Sequence, residues 1–400
     1  MSVLAGCRIL LALSGGIAAY KGAGIVRHLT GLGAEVRVVM TRSACEFITP
    51  LTLEVLSGKP VVTELFRPGA ESEIGHIELA RWPQLIVVAP ATANVIAKAR
   101  HGLADDLLST ILLATTSPVL FCPAMNTQML RHPATQENIA VLRERPRTFI
   151  LEPDAGSLAC GEVGDGRLPD PDVIEEAIHD ILTPKLLAGR HVLITAGPTR
   201  EHFDPVRFLS NPSTGKMGYA IAKSARRMGA RVTLVSGPTA LPTPYGITRV
   251  PVESAAQMRD AVFQFKPDIA IMSAAVADWT PVDVADQKRK KTDGSWTPEL
   301  TRTVDVLATL AASEQRPRCL IGFAAETTEV ERFAREKLDK KGIDGIVANR
   351  VGGVGSAFGS EDNEVMLIDK ASIEHVPSAS KIVVAERICR WIARMDGVSE

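Results

Sequence analysis

Short runs that are apolar at nearly every position alternate along the chain with longer stretches of mixed polarity. Residues 8–13, 35–41, 85–90 and 118–122 are such runs, rich in β-branched side chains, and helical patterns lie between them. Runs with no polar alternation suit strands buried on both faces, which is the condition of a parallel sheet covered by helices. A polar, proline-containing stretch from 169 to 189 holds one short helical pattern over 173–182 and reads as a linker. The alternation then restarts, with strands expected at 191–196, 231–236, 268–274, 319–323, 345–348 and 365–369. The pattern predicts an α/β protein of two Rossmann-like domains, residues 1–189 and 190–400, with no internal sequence repeat.

Length agrees, since 400 residues exceed what one hydrophobic core normally organises. Forty-five basic against 46 acidic residues leave a net charge of -1, which supplies no reason to expect bulk binding to nucleic acid or an anionic membrane. Small anionic ligands stay open. The six cysteines, Cys7, Cys45, Cys122, Cys160, Cys319 and Cys389, contain no C-x-x-C pair, which argues against a disulfide framework or a structural zinc site and for a reducing cytoplasm. Leu4-Ala5-Gly6-Cys7 imitates a lipoprotein cleavage site but lacks a basic and an apolar region before it. No stretch reaches the roughly 18 apolar residues of a membrane span, so a soluble protein is expected.

The loops at the strand ends carry the candidate chemistry. Ser14-Gly15-Gly16 follows the first strand and opens a helix, a place that serves equally as a tight turn or as a phosphate seat on backbone N–H groups. The next loops, Thr41-Arg42-Ser43-Ala44 and Ala89-Pro90-Ala91-Thr92-Ala93-Asn94, are rich in small polar groups and belong where open α/β sheets bind ligands. Cys160 stands among Gly156, Gly161, Gly164 and Gly166, either a mobile reagent or an incidental thiol. His76 either packs or handles protons.

In the second half, Thr195-Ala196-Gly197-Pro198-Thr199 ends a strand, and Asn211-Pro212-Ser213-Thr214-Gly215-Lys216-Met217-Gly218 opens the next helix. The latter imitates a Walker A loop but fails as one, with Ser210 for the first glycine and Met217 where Ser or Thr would reach the metal. Its helix N-terminus still suits a phosphate. Lys288-Arg289-Lys290-Lys291 is the only charge cluster, a solvated basic turn or a phosphate clamp. Lys337 and Lys341 share a helix face and repel unless an anion lies between them, with Glu336 and Asp339 the nearest in sequence.

Several strings together resemble one family. Pro123-Ala124-Met125-Asn126-Thr127-Gln128-Met129 with His132-Pro133 is similar to the substrate-recognition motif of flavoprotein cysteine decarboxylases. Gly75-His76-Ile77 resembles their active-site histidine segment, and Leu158-Ala159-Cys160-Gly161 their flap. With the restarted second domain, nearly the whole chain resembles the bifunctional coenzyme A biosynthesis proteins, phosphopantothenoylcysteine decarboxylase fused to phosphopantothenate–cysteine ligase. One departure stands out: Leu130 replaces the tryptophan usual after the motif, keeping an apolar wall without the ring.

The resemblance implies a flavodoxin-like flavoprotein domain followed by a nucleotide-binding ligase domain. It implies FMN held by Ser14, Gly15, Gly16, Thr41, Ser43, Pro90, Thr92, Ala93 and Asn94. A thiol offers no electron sink for CO2 loss, whereas oxidation to a thioaldehyde does, and the family returns the electrons last. His76 would serve the oxidation and decarboxylation, Asn126 would hold the substrate carboxylate, and Cys160 would donate a proton in the final reduction. In the ligase, CTP would activate phosphopantothenate as an acyl-cytidylate that cysteine's amine attacks. Asn211 would meet the acyl-cytidylate carbonyl. Ser273, Ala274, Ala275, Asp278, Lys288, Val304, Asp305, Val306, Leu307, Phe323, Lys337 and Lys341 would meet CTP, and magnesium would accompany its triphosphate.

The resemblance further implies a cytoplasmic homo-oligomer, trimeric through the first domain and dimeric through the second. Two other readings fit the first half: a decarboxylase of peptide C-terminal cysteine, which leaves the second half idle, and a flavin-binding regulatory protein, which has no need of His76, Asn126 and Cys160 together.

Overall fold

The computed structural model describes residues 4–65, 75–157, 161, 163–290, 295–326, 328–350 and 360–398. It divides into two compact units, Met1–Thr183 and Pro184–Glu400. Among the described residues no helix is long and apolar enough to cross a membrane.

The first unit is built on six parallel strands: β1 (Arg8–Leu13), β2 (Glu35–Met40), β3 (Val61–Val62), β4 (Leu85–Ala91), β5 (Val119–Pro123) and β6 (Thr148–Ile150). They lie in the order β3-β2-β1-β4-β5-β6. Alternate side chains of β1 feed opposite cores, Ile9, Leu11 and Leu13 on one face and Leu10 and Ala12 on the other. That two-sided burial is why its run is apolar throughout. Because β2 and β4 flank β1, the connections reverse direction there and open a crevice beyond its C-terminal end.

The expected linker is a correction. Its helix spans Pro171–Leu182, and Ile174 and Ile178 are fully buried in the first core beside Leu168. The i, i+4 apolar pair is enough to dock a helix whose other faces are polar. Leu130 is also a core residue, packed with Phe121 and Ile139, so the Trp-to-Leu departure acts inside the unit. A small antiparallel hairpin, β7 (Asp154–Ser157) and β8 (Val163–Arg167), carries the expected flap. Leu158, Ala159 and Cys160 lie outside the described residues.

The second unit has an eight-stranded sheet from β9 (His191–Ala196), β12 (Arg231–Ser236), β13 (Thr248–Pro251), β14 (Ile269–Met272), β17 (Cys319–Glu326), β18 (Gly345–Arg350), β19 (Asp362–Asp369) and β20 (Ile373–Ser380). Its order is β13-β12-β9-β14-β17-β18-β19-β20, and β19 alone runs against the others, so that the β18/β19 and β19/β20 pairs are antiparallel. Two hairpins stand outside it, β10 (Arg200–His202) with β11 (Phe208–Ser210), and β15 (Trp279–Pro281) with β16 (Leu300–Arg302). The crossover reversal falls between β9 and β14.

Candidate functional site

In the first unit, the loops after β1, β2 and β4 converge. Ser14 is buried; its Oγ donates to the Pro90 carbonyl at 2.7 Å and accepts the Thr92 N–H at 3.0 Å. Thr41 caps a short helix, its hydroxyl accepting from the Ala44 N–H at 3.3 Å. Gly15 sits so close to the second loop that a Cβ there would lie 2.2 Å from the Ser43 Cβ, while one on Gly16 would lie 3.5 Å from a Thr92 methyl. Thr92 caps the helix Ala93–His101, which begins with Ala93 and Asn94. The nine residues expected at a flavin therefore lie at the C-terminal ends of β1, β2 and β4 and in the segments that follow them. Gly15→Ala is expected to push the Ser43 loop away and yield protein that purifies without flavin absorbance, read directly from its visible spectrum.

His76 begins the helix His76–Arg81 just after the Gly75 cap, so a turn and a half of helix separates it from β4. Asn126 caps the helix Thr127–Arg131, its Oδ1 accepting the Gln128 N–H at 2.8 Å. The β8 strand lies directly on this segment: the Met125 N–H donates to the Gly166 carbonyl at 3.0 Å and the Thr127 hydroxyl to the Asp165 carbonyl at 2.7 Å. Arg131 also pairs with Asp165 at 2.9 Å. Residues 125–127 and the root of the hairpin are thus one piece of structure.

The second unit holds a cavity of about 830 Å³ at the β9/β14 reversal. Asn211, Ser273, Ala274, Ala275, Asp278, Val304, Asp305, Val306, Leu307, Phe323, Lys337 and Lys341 all line it. Lys288 does not; it is exposed on the loop after β15, and Lys291 and Thr327 lie outside the described residues. Ser273 Oγ donates to the Thr195 carbonyl at 2.6 Å, and the Thr195 hydroxyl accepts the Ala274 N–H at 3.1 Å, so β9 and β14 end in register. Asn211 Nδ2 donates to the carbonyls of Val276 at 3.0 Å and Ala275 at 3.3 Å. Its amide therefore ties the two walls, and a ligand carbonyl reaches Nδ2 only by replacing the longer bond.

The repulsion between Lys337 and Lys341 is answered from another element. Lys341 Nζ meets Asp305 Oδ2 at 2.6 Å, and Lys337 Nζ donates to the Phe323 carbonyl at 2.7 Å. Burial, then Lys341, push Lys337 below the usual lysine range. Burial alone would raise Asp305, but the Lys341 ammonium and the Ala308 N–H outweigh it and hold the carboxyl below its ordinary value. A second basic pair lines the cavity: Lys216, which pairs with Glu361, and Lys381, pushed down by burial and then by Lys216. Sequence reasoning missed Arg302, Asn349, Asn363 and Lys381, whose only signal was their place at or beside strand and helix ends.

The comparisons agree with this arrangement. Residues 2–183 match the flavoprotein family model, and residues 187–395 match the C-terminal domain of DNA/pantothenate metabolism flavoprotein. The coenzyme A biosynthesis bifunctional protein CoaBC of Vibrio vulnificus (strain CMCP6) is 49% identical over 99% of this chain and all of that one. The chain belongs to the family of bifunctional coenzyme A biosynthesis proteins. Another member, from Bacillus subtilis (strain 168), is 49% identical over 97% of both chains. The crystal structure of the C-terminal domain of a CoaBC protein shares 43% identity, covering 54% of this chain and all of that one, with a TM-score of 0.46.

Proposed function

We propose that the chain carries out two successive steps of coenzyme A biosynthesis. The second unit joins 4′-phosphopantothenate to L-cysteine with CTP, and the first decarboxylates the product to 4′-phosphopantetheine. The observation that carries the reading is the lysine content of one cavity, where burial and then Lys341 push Lys337 down, and burial and then Lys216 push Lys381 down. Two cationic pairs suit two phosphorylated substrates, a nucleoside triphosphate and a phosphorylated acid.

A carboxylate resists amine attack. Its oxygen displaces pyrophosphate from the CTP α-phosphorus, and cysteine's amine then expels CMP from the acyl-cytidylate. The strand-end backbone at Ser273–Ala275, with Asp278 and Phe323, would hold the nucleotide, while Lys337, Lys341 and Lys288 would meet its phosphates. The N-terminal turn at Ser213–Gly215 would receive the acid's phosphate. The one His/Asp/Glu cluster of metal-ligating spacing among the described residues, His28, Asp172 and Glu175, belongs to the first unit. We therefore assign magnesium to the triphosphate it arrives with.

The crevice of the first unit fits FMN: small loops meet without room for a Cβ on Gly15, and the Ser14 and Thr92 hydroxyls, 3.1 Å apart, join the ends of β1 and β4 at the start of the helix Ala93–His101. When bound, FMN supplies a two-electron sink and source. Asn126 would hold the substrate carboxylate through its NH2, because Oδ1 is turned to Gln128. As a neutral amide it grips the carboxylate without the ion pair that would stabilise the ground state. His76 would accept a proton beside the crevice, and Cys160 would return one at the end. Leu51 and Val55 expose an apolar pair at i and i+4 on the helix Pro50–Ser57, with Phe47 exposed in the turn before it, which supports assembly with further copies of the chain. We place the protein in the cytoplasm.

The test is purified protein with phosphopantothenate, cysteine, CTP and magnesium, followed for pyrophosphate and CO2. Both are expected, with CO2 dependent on cysteine; pyrophosphate without CO2 removes the decarboxylase reading, and neither product removes both.

A further inference from the structure

In the second sheet β20 runs in the same direction as β9 and β14, so it returns toward the edge where those strands end, and the helix Lys381–Met395 follows it without a break. The helix Lys216–Arg227 begins at the same cavity, since Lys216 and Lys381 both line it. Each helix therefore opens on a lysine. Neither has an acidic residue in its first turn, and neither is capped by a side-chain hydrogen bond from the residue before it. Lysine has the wrong sign for that place, because the peptide dipoles already present positive charge at a helix N-terminus. An anion between two such ends relieves both.

The start of β19 and the residues before it hold the two helix starts together. Asn363 Nδ2 donates to the Met217 sulfur at 3.6 Å, the Lys381 N–H donates to the Glu361 carbonyl at 3.0 Å, and Lys381 Nζ donates to the Ser360 carbonyl. Lys381 is 8% exposed; burial and then Lys216 push it below the usual lysine range, while Glu361 and Asp362 act in the opposite direction. Lys216 pairs with the Glu361 carboxylate, whose side chain is 81% exposed. Glu361 thus sets one negative charge beside both ammonium groups. Its side chain can turn out to water while the Lys381 N–H still holds its backbone.

A carboxylate carries one negative charge, whereas a phosphate monoester carries about 1.5 to 2 near neutrality, on three acceptor oxygens. We propose that Lys381 is the residue by which the ligase selects a phosphorylated acid: with Lys216 and the two helix starts it takes the phosphate of 4′-phosphopantothenate, in exchange for the carboxylate of Glu361. This rests on the ligation reading given above and adds to it the group that tells phosphopantothenate from pantothenate. Pantothenate has a neutral hydroxyl where the phosphate stands, and a hydroxyl does not displace Glu361 from Lys216.

Pyrophosphate release at saturating CTP, cysteine and magnesium gives the phosphopantothenate KM, and pantothenate is then added as a competing inhibitor. Lys381→Met keeps the aliphatic stem and removes the charge. It is expected to raise the phosphopantothenate KM about a hundredfold, the scale of truncating one partner of a buried charge pair, with the CTP KM and the pantothenate inhibition constant within about threefold of the parent. Lys381→Arg keeps the charge and should recover most of the loss. If the pantothenate constant rises as much as the phosphopantothenate KM, Lys381 shapes the cavity without reading the phosphate, and the proposal is overturned. A rise confined to CTP, or no rise at all, overturns it equally.

Glu361→Gln decides the exchange separately, and does so even if Lys381→Met does not fold, because the side chain it changes is exposed. Its phosphopantothenate KM is expected to fall about threefold, since the phosphate no longer displaces a charged competitor. An unchanged or higher KM shows that no exchange takes place. A parent chain that releases no pyrophosphate from phosphopantothenate removes the ligation reading and this proposal with it, whereas an active parent with variants like itself removes the proposal alone.

Discussion

Gly166→Ala is expected to lower decarboxylation at least about a hundredfold while pyrophosphate release in the same chain continues at the parent rate. Gly166 has φ +124, and a Cβ there would lie 2.1 Å from the Met125 carbonyl oxygen, an atom of backbone that has no rotamer by which to move. The residue opposite is one step from Asn126, and the Gly166 carbonyl itself receives the Met125 N–H at 3.0 Å. Alanine therefore meets both a backbone conformation that costs about 1–3 kcal/mol and a collision. Relief requires β8 to lift from the recognition segment. Gly164 is similarly tight, since a Cβ on it would lie 2.5 Å from the Thr127 hydroxyl oxygen, so the strand has no alternative seat. A shift of about 1 Å between groups that must meet one substrate is enough for about a hundredfold loss. CO2 and pyrophosphate, measured on one preparation with phosphopantothenoylcysteine or the ligase substrates supplied, give the two rates. CO2 release within threefold of the parent, about 0.7 kcal/mol, would show that the hairpin's seat on residues 125–127 is not needed.

Asn211→Asp should produce the opposite split, with pyrophosphate release falling about a hundredfold and decarboxylation unchanged. Asn211 Nδ2 bridges the Ala275 and Val276 carbonyls, and a carboxylate at that place turns two attractive contacts into repulsive ones in a half-buried setting. Leaving such acceptors facing a charge is worth about 3 kcal/mol, near a hundredfold at about 1.4 kcal/mol per tenfold. The damage would reach the proposed nucleotide site because Ala275 is held in turn by its N–H to the Gly197 carbonyl at 2.9 Å. Steady-state pyrophosphate release against CTP, with a thermal melt to verify folding, decides it. A kcat/KM near the parent value would mean that the two cavity walls hold their spacing without this tie.

Much of the fold is legible in the order of residues. The strands expected at 8–13, 191–196 and 231–236 coincide with the observed ones because residues buried on two faces must be apolar at every step. The edge strands β13 and β20 carry no such signal: β13 has no buried residue in Thr248–Pro251, and β20 buries only Val376. The 173–182 pattern predicts a helix but not its seat, since a sequence does not say which core an amphipathic face will meet. Among site residues, Asn211 and Asp278 are carried by family strings and Lys337 by its helical spacing from Lys341, and all three lie in one cavity. Lys381 belongs to no string. It enters because the last helix begins at the rim of a sheet whose antiparallel end turns it toward Lys216.

By itself the chain's order of residues determined the two-unit α/β architecture, the small-residue loops at strand ends, and the family, because each depends on local pattern or contiguous strings. The tertiary structure alone decided that Asn211 joins two walls, that Asp305 rather than Glu336 or Asp339 answers Lys341, and that Asp204 holds Arg289. Those contacts join residues 36 to 85 positions apart. Their partners are chosen by the packing of strands and loops, which brings a donor within about 3 Å of an acceptor without leaving any periodic trace in the sequence.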